Sequence, residues 1–274
     1  MPKLNNYKFI LSSIFVLTLL LSTDLFAQST FAGQTMQLNG NAALADAGAT
    51  LRLTSNGNGQ TGTAFIVEPF YLSGGTSFST FIQFRIYGGT GADGLAFVIH
   101  NDGDESRIGS SGGGMGYAGI DNSLIVEIDT WDNGGSDPNE NHVGVNLNGS
   151  TTSLSTFTPA TDFEDTSSFY LWVDYNGRNN ELKVYLDTTA TKPGSPVISE
   201  TIALEQVIGS PAYVGFTAAT GAANNNHDIE AWTLNWQAAD KIPTLSEWSR
   251  IMMILLLAGI ALIAISRSKT STNA

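Results

Sequence analysis

Between residues 28 and 238 apolar side chains alternate with polar ones or stand in short runs, and the period is two, not the 3.6 of an amphipathic helix. Eight segments carry this pattern, at 81–86, 95–100, 124–128, 143–147, 170–175, 181–186, 213–217 and 229–236. Their lengths are those of β-strands. Between them lie Gly88-Gly89, Asn101-Asp102-Gly103, Asn133-Gly134-Gly135, Asn148-Gly149 and Asn176-Gly177, residue types that accept tight-turn backbone conformations. No amphipathic segment of three helical turns and no internal repeat is found in this stretch. Many short strands divided by Gly/Asn turns predict an all-β sandwich. Trp232 and Trp236 alternate on one predicted strand and should face the same side.

The two ends break the pattern. Lys3 and Lys8 precede an unbroken, largely apolar run from Phe9 to Leu21, and a small residue, Ala27, follows. A basic start, a short apolar core and a small residue at the cleavage position predict a secretory signal peptide over residues 1–27. A second apolar run, Ile251 to Ile265, is followed by Arg267 and Lys269. With Trp248 at the interface it predicts a short transmembrane helix whose basic end stays cytoplasmic and whose preceding domain stays outside. Three segments result: 1–27, a central domain over 28–238, and a tail over 239–274.

Composition narrows the possibilities. The 274 residues would divide into two domains at ~150 residues each, but β-sandwiches of this size often form one. Charged residues make up 14% and the net charge is −13. In the central stretch only Arg52, Arg85, Arg107, Arg178, Lys183 and Lys192 stand against most of the acidic residues. Such a surface should repel anionic polymers and attract cations, so nucleic acid is excluded as a partner. There is no cysteine, which excludes thiolate metal sites, thiol catalysis and disulfides.

The chemistry concentrates in Glu127-Ile128-Asp129-Thr130-Trp131-Asp132-Asn133, continuing through Asp137 to His142. Glu127 and Asp129, two apart on a strand, project both carboxylates from one face, where they repel unless a cation neutralises them. Asn133 and Asp137 follow in a loop, and His142 opens the next strand, whose hairpin-like return brings it towards Glu127. Hard oxygen ligands with one imidazole suit two neighbouring divalent ions. Calcium would take Asp129, the Trp131 carbonyl, Asn133 and Asp137, and a transition metal such as manganese would take Glu127, Asp129, Asp137 and His142. A solvated polar loop is the alternative reading of the same spacing.

Four blocks, in order along the chain, resemble the legume-type (L-type) lectins. They are Leu38-Asn39-Gly40-Asn41-Ala42 within Phe31 to Ala43, Ala92-Asp93-Gly94-Leu95-Ala96-Phe97, the stretch from Gly113-Gly114-Met115-Gly116 through Val126-Glu127-Ile128-Asp129-Thr130-Trp131 to Asp137-Pro138 and His142-Val143-Gly144-Val145, and Val214 to Gly221 with His227 to Trp232. The resemblance implies a concanavalin-type jelly roll, a flat back sheet packed on a curved front sheet. It implies a non-enzymatic carbohydrate-binding protein with Ca2+ and Mn2+ at the ligands named above. It further implies sugar contacts from Asp93, Gly113, Gly114, Trp131, Asn133, Ala222 and Ala223, and a cis Ala92–Asp93 peptide. Asn133 can present its carbonyl oxygen to calcium and its NH2 to a sugar hydroxyl. Asp93 is a charged acceptor for two hydroxyls, the Trp131 ring is an apolar face for a pyranose, and a Thr or Ser near Thr152 is expected to hold a metal-bound water. The loop from Gly221 to Asn226 sets specificity in this family, and its three consecutive Asn match no assigned pattern. Glycans are the expected partners, and a homo-oligomer is compatible with the family.

The tail motif Ile242-Pro243-Thr244-Leu245-Ser246-Glu247-Trp248-Ser249 resembles the IPTLxxWG sorting signal of Gram-negative bacteria, which implies an exosortase-type enzyme as partner and a cell-surface or extracellular destination. Ser249 stands where that signal usually has Gly. Two rival readings of the middle remain. Glu127 to Asp132 also resembles the E-x-D-x-x-E strand of bacterial β-glucanases, with Glu127 as nucleophile and Asp132 as acid/base. Against it, Asp132 is one methylene short, and without a bulge it points to the opposite face from Glu127. The other rival is a structural or adhesive protein that keeps the fold without binding sugar.

Overall fold

A computed structural model describes residues 28–237 except 136 and 166, together with 249 and 252–258. The predicted signal peptide lies outside the described residues, as does nearly all of the sorting motif. Residues 252–258 are helical and exposed, and among the described residues no helix is long and apolar enough to cross a membrane.

The period-two pattern folds into two antiparallel sheets. The first runs, in spatial order, β1 (Gln28–Phe31), β2 (Gln34–Gly40), β5 (Thr61–Ile66), β14 (Tyr213–Ala219), β7 (Gly94–His100), β8 (Ser123–Asp129), β9 (His142–Leu147) and β10 (Ser155–Phe157). The second runs β13 (Ile198–Thr201), β12 (Glu181–Asp187), β11 (Phe169–Asn176), β6 (Ser77–Tyr87), β15 (Asn226–Gln237), β4 (Thr50–Thr54) and β3 (Ala43–Ala45). Each of the eight predicted segments coincides with one strand. The predictions from alternation omitted the shorter or less apolar strands β1, β2, β3, β4, β5, β10 and β13, and the short helix α1 (Leu204–Ile208).

The main core lies between the sheets. Phe97 and Phe216 of the first sheet meet Phe78 and Trp232 of the second, with Phe216 edge-on to Trp232 at 4.8 Å between ring centroids. The Trp232 indole donates to Thr80 Oγ1 at 2.8 Å, so the buried N–H has its partner. Trp236 faces the same side and stacks on Phe78 at 5.6 Å.

A smaller second core covers the other face of the first sheet. There Met115, Tyr117 and Ile120, from the connection between β7 and β8, pack on Phe65, Ala96, Val98 and Ile125. This third layer explains why β7 and β8 read as nearly unbroken apolar runs while β6 and β12 alternate: the former are buried on both faces, the latter on one. It also encloses the outward side chains of β8, among them Glu127 and Asp129.

Candidate functional site

β8 alternates Leu124, Val126 and Ile128 into the main core with Ile125, Glu127 and Asp129 on the covered face. Asp129 pairs across the sheet with His142, the first residue of β9, and Glu127 pairs with Gly144. A side chain at Gly144 would collide with Glu127 Oε1 and Ser153 Oγ, so only glycine leaves room for the carboxylate at this crossing. Asp129, Asp137 and His142 bring their ligating atoms within 4.8 Å of one another. Glu127 Oε1 stands 3.6 Å from His142 Nε2.

The remaining hydrogen bonds orient these groups. His142 Nδ1 lies 2.9 Å from the Asn139 carbonyl, and its buried Nε2 has no hydrogen-bond partner. Glu127 Oε2 accepts from the Tyr117 hydroxyl and, at 2.8 Å, from the Asn146 amide, while Oε1 accepts from Ser153 Oγ at 2.7 Å. Backbone amides of the following loop donate to the other carboxylates, Trp131 N to Asp129 Oδ1 and Asn133 N to Asp137 Oδ2, each at 2.7 Å. Burial pushes the Asp129 carboxyl up to about 8. Burial works against a charged His142, but the neighbouring carboxylates of Glu127 and Asp129 outweigh it and raise its pKa. Negative charge gathered out of water, with an orphaned imidazole nitrogen aimed at it, is a donor set that fits a divalent cation.

Next to this cluster lies Asp93. The peptide before it is cis, as expected, and its backbone joins two strand ends: its N–H donates to the Ala219 carbonyl at 3.1 Å, and its carbonyl accepts from Thr130 N at 3.0 Å. Its side chain is buried, Oδ2 has no partner, and burial alone pushes its pKa up to about 6. Gly221 leaves the space in front of that oxygen: a Cβ there would sit 3.1 Å from Oδ2. Gly113 leaves space for Asn133, whose side-chain atoms would lie 2.5–2.7 Å from a Cβ at that position. A cavity of about 350 Å³ is lined by Gly113, Gly114, Met115, Asp129, Asn133 and Asp137, among others. Trp131 is 42% exposed. Another cavity, of about 260 Å³, lies between Ser73–Thr76, Tyr175 and Glu205, and shares none of these residues.

The structure therefore gathers the four residues predicted for the transition metal, Glu127, Asp129, Asp137 and His142, and puts Gly113, Gly114 and Asn133 on a cavity shared with Asp129 and Asp137. Ala222 is exposed and Ala223 half-buried in the loop that follows Gly221. Asp132, the acid/base of the hydrolase alternative, is exposed while Glu127 is buried, and its Oδ1 accepts from Gly134 N at 2.7 Å. Of the other histidines, His100 Nδ1 accepts from Asp102 N at 3.2 Å, and His227 is fully buried with Nδ1 2.6 Å from Thr54 Oγ1.

Sequence reasoning missed Tyr117 and Asn146, which together with Ser153 donate hydrogen bonds to Glu127. Tyr117 reads as an ordinary core aromatic, and Ser153, beside the Thr152 near which a water-holding hydroxyl is expected, donates to Glu127 itself. The unassigned triple Asn is a set of braces. The Asn224 carbonyl accepts from Thr90 N, its own N–H donates to Thr90 Oγ1, and its side-chain amide reaches Asn58. Asn225 accepts from Gly89 N and donates to Glu164, and Asn226 accepts from Asn56 N and donates to the Tyr87 carbonyl.

The two antiparallel sheets, with clustered acidic groups and His142 at one end beside the buried Asp93, are the architecture of a legume-lectin sandwich. The sequence profile of the legume lectin domain matches residues 23–249, and the chain belongs to that family. Agglutinin-2 of Cladrastis kentukea is 30% identical over 222 residues, 72% of this chain and 75% of that protein. The L-type lectin-domain containing receptor kinase VIII.1 of Arabidopsis thaliana is 32% identical over 170 residues, 58% of this chain but 24% of the kinase, so the chain spans about a quarter of that relative's length. Among solved structures, basic winged bean lectin with Tn-antigen superposes with a TM-score of 0.65 at 26% identity, covering 77% of this chain and 96% of that one. A lectin from Bauhinia forficata in complex with GalNAc shares the fold with a TM-score of 0.64 at 24% identity, covering 75% and 93%.

Proposed function

We propose that the protein is a non-enzymatic lectin that binds glycans at the end of the sandwich where Asp93, Asn133 and the Asp129–Asp137–His142 cluster meet. The observation that carries this reading is the pair of orphaned buried groups, Asp93 Oδ2 and His142 Nε2, at the end of the sandwich where Gly113, Gly114, Asp129, Asn133 and Asp137 line a cavity. A transition metal would be held by Glu127, Asp129, Asp137 and His142, and calcium by Asp129, the Trp131 carbonyl, Asn133 and Asp137. When bound, the ions neutralise the clustered carboxylates and pin the loop that bears Asn133. The chain's own groups then do the recognition. Asp93 accepts from sugar hydroxyls, the Asn133 NH2 and the backbone at Gly113 and Gly114 donate, Trp131 offers an apolar face, and Ala222 and Ala223 form the rim. With Asn225 and Asn226 buried and the Asn224 amide tied to Asn58, that rim presents small methyl groups and backbone.

Export by the 1–27 signal and sorting through the 242–249 motif, with the 239–274 tail as a transient membrane anchor, belong to the same reading: a sugar-binding domain displayed at the cell surface or released from it. Replacing Asn133 by Ala should abolish retention on a sugar matrix that holds the parent protein while leaving the far-UV circular dichroism unchanged. Retention equal to the parent's would sink the assignment. Incubation with β-1,3- and β-1,4-glucans should release no reducing ends, because Asp132 is turned to solvent and bonded to Gly134. Release that Glu127→Gln abolishes would establish the hydrolase instead.

A further inference from the structure

We infer that the Asn133-Gly134 pair is a site of spontaneous deamidation, and that its conversion inactivates the sugar site from within. Six Asn-Gly pairs occur in the chain, at Asn39, Asn56, Asn58, Asn133, Asn148 and Asn176. Each has the minimal steric barrier that glycine gives to attack by its own backbone nitrogen on the preceding side chain. The fold restrains five of them. Asn39 lies in β2, its amide held by Thr63 Oγ1 and the Glu105 carbonyl. The Asn56 amide donates to the Gly88 carbonyl at 2.8 Å. The reacting nitrogens that follow Asn58, Asn148 and Asn176 are tied to the body of the domain, Gly59 N to the Gly221 carbonyl, Gly149 N to Ser123 Oγ and Gly177 N to Ser77 Oγ.

Asn133 differs on each count. Residues 131–135 are all exposed, and among the described residues no hydrogen bond holds the Asn133 side-chain amide. Gly134 N is bonded only within its own turn, to Asp132 Oδ1, so the proton that must leave the nitrogen already points at a carboxylate. A free electrophile and a nucleophile unattached to the core thus share the most exposed turn of the site.

The reaction needs water alone as co-reactant. The Gly134 nitrogen bonds to Asn133 Cγ, the Cγ–Nδ2 bond breaks, and ammonia leaves with the proton lost by Gly134, giving a succinimide. Water then opens the ring at Cγ, leaving aspartate, or at the main-chain carbonyl, leaving isoaspartate with one extra backbone methylene. Either product replaces the NH2 donor by a carboxylate that only accepts, and it does so beside Asp93. That consequence rests on the sugar-binding reading; the modification does not.

The test holds the purified full chain in chelator, so that no cation occupies the Asn133 oxygen, at mildly alkaline pH for several days and follows it by peptide mapping, which reads the amide-to-acid mass gain at each Asn, and by retention on a sugar matrix once calcium is restored. Asn133 should convert ahead of the other five, and retention should fall in step with it. Gly134→Ala, whose methyl meets no neighbour within 4 Å but strains the positive-φ backbone there, should slow both losses, and Asn133→Asp should lack retention from the start. Conversion of Asn133 no faster than Asn148 or Asn176 would overturn the site. Conversion with full retention would overturn its effect. If fresh protein is not retained by any sugar, the lectin reading fails, and the effect with it, while the mass data still decide the modification.

Discussion

Replacing Asp93 by Asn should weaken sugar binding and strengthen the fold at once. The side chain is 4% exposed with Oδ2 unpartnered, and burial raises its pKa from 3.8 to about 6. At about 1.36 kcal/mol per pKa unit, the ionised group costs the fold at most about 3 kcal/mol at neutral pH. Partial screening by solvent lowers this, and about 1–2 kcal/mol should remain. For a domain of this size that is a rise in Tm of about 2–8 °C. The sign follows from the folded pKa lying above the unfolded one. The cost is fully present above pH about 6 and fades as the pH falls towards 3.8, so the variant's advantage should fade with it. Binding moves the other way, because a hydrogen bond to a charged acceptor is worth about 1.5–3 kcal/mol, or roughly 10–100-fold in affinity. Scanning calorimetry without sugar at both pH values, beside titration calorimetry with sugar, reads both effects. A variant less stable than the parent at neutral pH, or an advantage that persists in acid, would refute the reasoning.

Gly144→Ala should drive a methyl into Glu127 Oε1 and Ser153 Oγ and displace the carboxylate. Manganese affinity, read by the free-ion paramagnetic signal, should fall about 10–100-fold, and an unchanged affinity would remove Glu127 from the metal site. Tyr117→Phe takes one donor from a buried carboxylate and should cost the metal-free domain about 1–3 kcal/mol in a urea titration. The cost should shrink when metal is present, because the ion then compensates Glu127. Chelation should lower Tm by an amount that grows with the metal concentration removed, since ligands that bind only the folded state stabilise it by mass action; a Tm indifferent to chelator would leave the cluster without a cation.

Much of this arrangement was legible in the chain. Alternation located eight of the fifteen described strands, and the i, i+2 spacing of Glu127 and Asp129 placed both carboxylates on one face before any fold was known. Strands such as β10 and β13, three and four residues long, carry too little periodicity to be seen and exist because a neighbouring strand supplies their hydrogen bonds. The support of the site was hidden for a different reason. Tyr117 touches Glu127 only because a loop folds over the outer face of β8, and nothing local to Gly116-Tyr117-Ala118 announces that contact. The same holds for Asn224, Asn225 and Asn226, whose braces reach loops more than a hundred residues away in the chain. Specificity loops advertise their composition in sequence, but not which way their side chains turn.

The most direct test of the central claim is a glycan array probed with the purified protein in calcium, in chelator, and after calcium is restored. The account predicts binding to a restricted set of glycans that disappears with chelation and returns with the ion. Binding unaffected by chelator, or no binding in calcium by protein shown to be unconverted at Asn133, would contradict it.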